Sequence, residues 1–532
     1  MKLHVIPSAI AIALSVPTAA RAQVPVETAT AEPPAAAVAS ITGREIGGHL
    51  RFLASDLMRG RDAGSPEARL TAEYLASHLF AIGADPLGDF NRGGRTYLQK
   101  FPLETTTALS EGSSLTLTLT PDGSHRVVDC KLGVDYIFGP QGVAPGEVEA
   151  DVVFAGYGRD LPDRGVDDYG KLDVRNRFVL VYDGAPGEGE ADRRGGGANK
   201  VEAARKRGAL GLLVISPSSE ADARPPGPVG MFGFDRPRVT LGPAPATIPS
   251  IALTPAIRNL LAAALDLPKP EAVGTPAGRQ LPGLRVKFTH AAKSELREDR
   301  NVIGFLPGSD PEKKNEIVVF SAHYDHEGVD AKGEIYNGSD DNASGTSGVL
   351  EVAQAFGSAP RPARSVAFLW VSGEEKGLLG SKWFADHQAL PEGMKIVADI
   401  NLDMISRNDP SKIGATPSPS HPDYNSIVAA AVAATQAEGL EMLFDSDPYY
   451  ARTDSFNFAA KGIPVIFFFA GLHEDYHKPT DDVEKADLEK SARVARAAFR
   501  LGWTTAQAAE APKKITAPPA PAEAEAPPAA SN

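Results

Sequence analysis

The chain has 532 residues, of which 42% are hydrophobic and 23% are charged, and its formal net charge is −14. This is an ordinary globular composition, and the length is enough for two or three domains. An acidic chain without a Lys- or Arg-rich run is not expected to bind nucleic acid. The single cysteine, Cys130, cannot form an internal disulfide, so we expect a packed core or bound metal to stabilise the fold.

The N-terminal residues have the pattern of a secretory signal peptide. Lys2 precedes an apolar stretch at residues 8–16, which is too short to cross a bilayer, and Ala20-Arg21-Ala22 resembles a cleavage site. A membrane anchor is the alternative, but prolines lie on both sides of the stretch. We therefore predict a signal peptide over residues 1–22, and a secreted or periplasmic protein with no membrane partner.

Two Pro- and Ala-rich segments are predicted to lack a fixed structure. They are a flexible leader over residues 23–40 and a disordered tail over residues 511–532. Residues 41–145 are assigned to the N-terminal part of the main domain, with helical structure expected as far as about residue 103. Within them, Ser65 and Pro66 have the N-cap and first-turn chemistry of a helix that Gly83 ends.

Residues 146–275 have a different character from the segments around them. The runs "DVVFAGYG", "RFVLVYDG", "GLLVIS" and "IPSIALT" are short and rich in β-formers, and "ANKVEAARKRGA" predicts one helix between them. Short strands separated by turn residues are typical of a small module with its own sheet. We predict an inserted α/β domain here.

Residues 276–510 alternate between strands and helices. The runs "EIVVFSA", "SVAFLWV", "VADINL" and "IPVIFFF" are apolar without a polar alternation. Such strands are buried on both faces, as in a mostly parallel sheet that is covered by helices. The predicted fold class is therefore α/β, with a mixed, mostly parallel central sheet.

Acidic residues and histidines follow each of these four strands. They are His323 and Asp325 after the first, Glu374 and Glu375 after the second, Asp403 after the third and His477 after the fourth, with Asp340 and Asp341 at a helix start between the first two. In open α/β sheets, ligands bind outside the carboxyl ends of the strands. Any one of these residues alone is more often structural. Together, two histidines and several carboxylates suit zinc.

The motifs around these residues resemble one known family. They are "SAHYDH", "NGSDDNASG", "SGEEKGLLGS", "NLDMI", "RTDSFNFAAKGIPVIFF" and "DYHKPTDD". In order and character they resemble the co-catalytic two-zinc aminopeptidases, a family of secreted metallopeptidases that also includes glutamate carboxypeptidases. The resemblance covers residues 301–487, and the inserted domain resembles a protease-associated domain. It implies the zinc exopeptidase fold and two zinc ions per chain.

The resemblance also implies the metal ligands. His323 and Asp403 would hold one zinc, Glu375 and His477 would hold the other, and Asp341 would bridge the two. Asp340 is the alternative to Asp341, and His473 is the alternative to His477. The family motifs favour Asp341, because it directly precedes Asn-x-Ser-Gly, and His477, because it follows Tyr and precedes x-Pro.

Further roles follow from the same resemblance. Asp325 would orient His323 through its second ring nitrogen. Glu374 would be the general base, which takes a proton from a metal-bridging water. Tyr476 would stabilise the oxyanion, and Arg452 would hold the substrate backbone. The simpler interpretations are packing for Tyr476 and a surface ion pair with Asp454 for Arg452.

The function that we predict is that of a zinc-dependent exopeptidase, an aminopeptidase that acts on peptides or small proteins. A carboxypeptidase or dipeptidase of the same family is the first alternative, since these enzymes share the metal motifs. A non-catalytic receptor on the same fold is the second, although the full ligand set argues against it. The sequence predicts neither the side-chain preference nor the oligomeric state.

Overall fold

The computed structural model describes residues 32–120, 123–139, 143–162, 165–185, 193–218, 237–270, 278–388 and 390–516. The predicted signal peptide and most of the predicted tail lie outside these ranges. Among the helices that are described, none has the length and apolar character needed to cross a membrane.

The α-helices within the described ranges are, in chain order, α1 Ala35–Ser40, α2 Gly43–Leu53, α3 Pro66–Ala81, α4 Arg193–Lys206, α5 Pro255–Leu265, α6 Gly345–Ser358, α7 Leu379–Asp386, α8 Ser426–Gln436, α9 Ser455–Ala459 and α10 Leu488–Gln507. The strands are β1 Asp85–Pro86, β2 Phe90–Asn91, β3 Gly94–Arg95, β4 Leu98–Leu119, β5 Arg126–Cys130, β6 Tyr136–Gly139, β7 Gly146–Phe154, β8 Asp160–Leu161, β9 Val166–Asp167, β10 Phe178–Tyr182, β11 Gly211–Ile215, β12 Arg238–Leu241, β13 Ser250–Leu253, β14 Arg279–Leu306, β15 Glu316–His323, β16 Gly328–Val329, β17 Ile335–Tyr336, β18 Ser365–Val371, β19 Lys395–Leu402, β20 Lys412–Thr416, β21 Glu441–Leu443 and β22 Val465–Phe469.

Helix α3 begins and ends where the sequence predicts. The Ser65 hydroxyl accepts a hydrogen bond from the Ala68 amide at 3.0 Å, which satisfies one of the free amides of the first turn. Gly83 has a φ of 72°, the left-handed conformation that glycine adopts easily after a helix. The expectation of helix as far as residue 103 was wrong, because strands begin at Asp85 and burial alternates along the start of β4.

The central sheet of the main domain has the strand order β21-β20-β22-β19-β15-β18-β14. Strand β15 runs parallel to β18 and β19, and β19 runs parallel to β22. Strand β14 is antiparallel to β18, and β20 is antiparallel to β22 but parallel to β21. The fold class predicted from the apolar runs, a mixed and mostly parallel sheet, is therefore confirmed.

Helices cover both faces of this sheet, which explains why its strands are apolar throughout. On β15, Val318 and Phe320 pack in one hydrophobic cluster with α6 and α10. The alternate residues Ile317 and Val319 pack in another cluster, with Phe384 and Phe458 of the opposite layer. Burial on both faces removes the alternation that a half-exposed strand would show.

A second sheet region contains residues 146–275, the segment predicted as the inserted domain. Strands β7, β10, β11 and β13 are parallel neighbours, and β6 closes the edge in the antiparallel direction. The long strands β4 and β14 pair from Leu98↔Val302 to Leu119↔Leu284, and they form a ribbon that links this region to the main sheet. The hydrophobic cluster of the region includes Leu115 and Phe288, so its members lie on both sides of the predicted segment 146–275.

Parts of the predicted leader and tail are ordered. Helix α1 lies within the predicted leader, and its Ala37 and Val38 are buried in the main core. In the predicted tail, the amide of Ile515 donates to the Tyr424 carbonyl at 3.0 Å, and the Ile515 side chain packs against the same core. The prediction of disorder was wrong for these residues, because a few apolar side chains suffice to attach a Pro- and Ala-rich segment.

Candidate metal centre

The predicted site residues meet at one edge of the central sheet. His323 is the last residue of β15, Glu374 and Glu375 follow β18, and Asp403 follows β19. His477 lies in the loop after β22, and Asp341 lies in the helical turn before α6. Because these parallel strands end at the same edge, six side chains from distant parts of the sequence come together.

Asp341 lies between the two histidines. The Nε2 atom of His323 is 3.3 Å from Asp341 Oδ1 and 3.4 Å from Asp403 Oδ1. The Nε2 atom of His477 is 3.2 Å from Asp341 Oδ2 and 3.1 Å from Glu375 Oε2. Each oxygen of Asp341 therefore faces a different histidine, which is the arrangement that a bridging carboxylate needs.

These atoms have the environment of a cation site. His323 Nε2, His477 Nε2 and Asp403 Oδ1 are buried and make no well-oriented hydrogen bond. Ligand atoms of His323, Asp341 and Asp403 lie within 4.8 Å of one another. A second group of that kind consists of His326, Asp341 and Glu375, and a third consists of Glu327, Glu375 and His477. Imidazole nitrogen and carboxylate oxygen are ligands that zinc accepts, so the residues present fit a divalent metal.

The two alternatives from the sequence have other partners. Asp340 Oδ1 accepts hydrogen bonds from the Ser406 amide and hydroxyl, both at 2.7 Å. Its second oxygen, Oδ2, is 3.3 Å from His473 Nε2. Asp340 and His473 thus face each other, whereas Asp341 and His477 face the metal-ligand cluster.

The adjacent glutamates differ in their surroundings. Glu375 Oε1 lies 2.8 Å from His326 Nδ1, and its Oε2 faces His477. Although burial opposes ionisation, the charge of His477 and the hydrogen bond from His326 hold the pKa of Glu375 well below its usual value. Burial raises the pKa of Glu374 well above its usual value, against the opposing charge of His323. The two adjacent carboxyl groups therefore differ in proton affinity, and Glu374 is the stronger base.

Asp325 contacts His323, but the contact is made by its main-chain oxygen and not by its carboxylate. The atom within hydrogen-bond distance of His323 Nδ1 is the main-chain oxygen of Asp325, at 3.2 Å. The carboxylate Oδ1 is 3.7 Å from the same nitrogen and accepts a hydrogen bond from the Glu374 amide at 3.2 Å. Asp325 therefore connects His323 to the main chain of Glu374.

Tyr476 and Arg452 are neighbours at the same edge. Arg452 Nη2 lies 3.5 Å from the Tyr476 hydroxyl, and the Tyr476 ring stacks on His477 with centroids 3.9 Å apart. Burial and the nearby charges of Asp341 and Glu375 raise the pKa of Tyr476, so its hydroxyl stays a hydrogen-bond donor at neutral pH. An apolar cluster of Met404, Phe467 and Phe469 packs against the Tyr476 ring.

The sequence analysis missed three buried residues that hold the site together. His326 contacts Glu375 as described above, and it is completely buried. Arg61 donates to the main-chain oxygens of Tyr324 and Gly338, which ties the His323 loop to the turn before Asp341. Asp481 accepts hydrogen bonds from the amides of Asp340 and Asp341. The second histidine of "HYDH" and the first aspartate of "TDD" were the available signals.

Part of the chain matches the model of a known protein family. Residues 301–501 match the model of Peptidase family M28. A probable leucine aminopeptidase of Trichophyton verrucosum is 30% identical over 209 residues, which are 37% of this chain and 57% of that protein. Aminopeptidase YwaD of Bacillus subtilis is 28% identical over 222 residues, which are 41% of this chain and 47% of that protein. The chain thus spans about half the length of these curated relatives.

The comparison with solved structures concerns the fold alone. An aminopeptidase from Aneurinibacillus sp. strain AM-1 superposes with a TM-score of 0.57 and 21% sequence identity. The match covers 90% of this chain and 97% of that one. It extends well beyond residues 301–501, and it agrees with the α/β fold class derived above.

Proposed function

We propose that the chain is a zinc-dependent aminopeptidase, which removes residues from the N-terminus of peptides, because residues 301–501 match the model of Peptidase family M28. The observation that carries the proposal is the position of Asp341, whose two oxygens face His323 and His477 at 3.3 and 3.2 Å. A bridging carboxylate between two ligand groups is what a two-metal hydrolase requires.

The proposed site would hold two zinc ions. His323 and Asp403 would hold one and Glu375 and His477 the other, with Asp341 as a ligand that both could share. When bound, the metals supply Lewis acidity toward the peptide carbonyl and lower the pKa of a shared water. His326 donates to Glu375 Oε1, so the oxygen that faces His477 remains available as a ligand.

Glu374 is the proposed general base. It takes a proton from the attacking water and gives it to the nitrogen of the leaving peptide as the C–N bond breaks. Burial raises the pKa of Glu374 above its usual value, which makes its carboxylate a stronger base than that of an exposed glutamate. The hydrogen bond from its amide to Asp325 fixes the main chain from which it projects.

The remaining predicted roles concern the substrate. The Tyr476 hydroxyl is the proposed donor to the oxyanion that forms on the peptide carbonyl. Arg452, which lies over the Tyr449 ring and beside Tyr476, would hold the substrate main chain. The apolar cluster near Tyr476 and the names of the leucine aminopeptidase relatives support a preference for an apolar N-terminal side chain. Secretion or export to the periplasm remains a proposal from the sequence.

The test is a panel of peptides with measured zinc content of the protein. We expect Leu-initiated peptides with a free amino group to be cleaved, and the N-acetylated versions to be left intact. Cleavage of blocked peptides from the carboxyl end would instead support the carboxypeptidase alternative. A protein that binds no zinc and cleaves nothing would support the receptor alternative.

A further inference from the structure

Asp299 is a buried carboxylate outside the proposed ligand set. It lies within β14, next to the residues that directly follow β18. Its side chain has no solvent exposure. Its Oδ2 accepts from the Ser372 hydroxyl at 2.6 Å and from the Gly64 amide at 2.7 Å. Its Oδ1 accepts from the Arg300 amide at 2.9 Å and lies 3.4 Å from the Tyr324 hydroxyl. One carboxylate thus accepts three hydrogen bonds and also lies beside the Tyr324 hydroxyl, which donates its proton to the Arg300 carbonyl.

Three of the four groups around the Asp299 carboxylate belong to segments that carry or support the proposed site residues. Ser372 is two residues before Glu374, and Tyr324 lies between His323 and Asp325. Gly64 follows the segment in which Arg61 donates to the Tyr324 and Gly338 carbonyls. Asp299 is therefore placed between the base, one metal ligand and the segment that supports the Asp341 turn.

Asn301, two residues after Asp299 on β14, also binds the segment that contains Glu374 and Glu375. Asn301 Nδ2 donates to the Gly380 carbonyl at 2.8 Å, and its Oδ1 accepts from the Ser372 amide at 3.3 Å. The loop with Glu374 and Glu375 is thus attached to β14 at both of its ends. A shift of β14 by a fraction of an ångström would shift both glutamates.

We propose that Asp299 is a positioning residue, which holds the Glu374–Glu375 loop and the His323 loop in the arrangement needed for metal binding and catalysis. The inference rests on the proposed function. Its physical basis is that a carboxylate accepts up to about four hydrogen bonds and donates none, so one side chain can fix several donors. Asparagine cannot replace it fully, because its amide nitrogen would face the Arg300 donor.

The location on β14 adds a consequence. Asp299 pairs with Phe101 of β4, at the base of the ribbon that carries the inserted domain. The strand that carries Asp299 also pairs with β7 of the inserted domain, from Arg279↔Phe154 to His290↔Gly146.

The experiment compares Asp299→Ala, Asp299→Asn and Ser372→Ala with the wild type. We expect Asp299→Ala to lower kcat at saturating zinc and to weaken zinc binding, each by roughly tenfold, with KM little changed. Asp299→Asn should be milder, because its oxygen still accepts from Ser372 and Gly64. Ser372→Ala should lower kcat, and the double variant with Asp299→Ala should be no worse than Asp299→Ala alone.

The control is Asp168→Asn in the inserted domain. Asp168 is also buried and accepts from the amide and guanidinium of Arg159, but it directly follows β9, which forms a separate two-stranded sheet with β8. It should reduce stability and leave zinc affinity and kcat unchanged.

Each outcome bears on one proposal. If Asp299→Ala lowers the unfolding midpoint but keeps wild-type zinc affinity and kcat, its role is structural and the inference is wrong. If the wild type binds zinc and cleaves no peptide, the proposed function fails. Zinc affinity then still decides the role of Asp299, because it needs no turnover.

Discussion

The chain contains two regions with parallel, fully buried strands, and within the described residues only one of them gathers metal-binding side chains at the carboxyl ends of its strands. In the main domain, β15, β18 and β19 lead directly to His323, Glu374 and Asp403. In the inserted domain, β10 and β11 are equally buried. At the end of β10, Lys200 of α4 donates to the carbonyls of Tyr182 and Gly184.

The two regions show that the features that form a buried sheet differ from those that form a metal site. Apolar strands with loops at their ends are enough to build both regions. Among the described residues, the groups of His, Asp and Glu that could hold a metal all lie in the main domain. Burial of ionisable groups without hydrogen-bond partners costs free energy, so their concentration at one edge indicates a bound cation and a function there.

The largest expected effect is the loss of the bridging carboxylate. We expect Asp341→Asn to lose most bound metal and to reduce activity below detection, because one residue serves both histidines. Metal analysis after dialysis and peptide cleavage measure the two effects. Asp340→Asn is the matched control, since its carboxylate binds Ser406, and it should keep its zinc. Equal metal loss in both variants would contradict the assignment of Asp341.

The adjacent glutamates give the second comparison. We expect Glu374→Gln to lower kcat by about 10²- to 10⁴-fold with its zinc retained, because the amide cannot accept the proton of the water. Glu375→Gln should instead reduce zinc content, because it removes a charged oxygen beside His477. Zinc analysis and steady-state kinetics on both variants measure this. Equal zinc loss would show that the two residues do not divide the roles of base and ligand.

Much of the fold could be predicted, because burial on both faces leaves a direct mark on the sequence. The four apolar runs of the main domain became β15, β18, β19 and β22, and the cap at Ser65 located α3. Composition was a poor guide at the ends of the chain. It predicted disorder for residues 35–40 and 511–516, where a few apolar side chains contact the core.

The candidate site was predictable to the extent that its residues follow strand ends. The structure brings together the five residues predicted as ligands, with Glu374 beside them. Among the supporting residues, His326 carried a signal as the second histidine of "HYDH", but its contact with Glu375 did not show in the sequence. Arg61 and Asp299 act through contacts with loops that are distant in sequence, and nothing in their local sequence distinguishes them from surface charges. Which of the adjacent residues Asp340 and Asp341 faces His323 and His477 also depends on the conformation of the turn, which determines where each side chain points.

A buried carboxyl group on β19 of the main domain should make the free energy of unfolding depend on pH. Burial raises the pKa of Asp399 on β19 to about 8, with a smaller contribution from the charge of Asp454, against the hydrogen bond from Ser321. The folded state then holds a proton that the unfolded state releases above about pH 4. The stability from this proton is complete at low pH and is lost as the pH rises toward 8, by about 1.4 kcal/mol per unit.

Asp399→Asn removes that loss, since asparagine does not titrate. We expect the variant to gain stability relative to the wild type between pH 5 and pH 8, as measured by urea unfolding at each pH. An identical slope for the wild type and Asp399→Asn would show that the Asp399 carboxyl group is ionised in the folded protein at neutral pH.

The smallest expected effect comes from two buried tyrosines that lose the same hydroxyl group. In the inserted domain, the Tyr182 hydroxyl donates to the Pro268 carbonyl at 2.7 Å, and in the main domain the Tyr324 hydroxyl donates to the Arg300 carbonyl. Removal of either hydroxyl should cost about 1 kcal/mol of unfolding free energy. Only Tyr324→Phe should also weaken zinc binding, because Tyr324 directly follows His323, which is a proposed zinc ligand. Denaturant unfolding and zinc titration of both variants measure this, and a change in zinc affinity for Tyr182→Phe would mean that the inserted domain also contributes to the geometry of the metal centre.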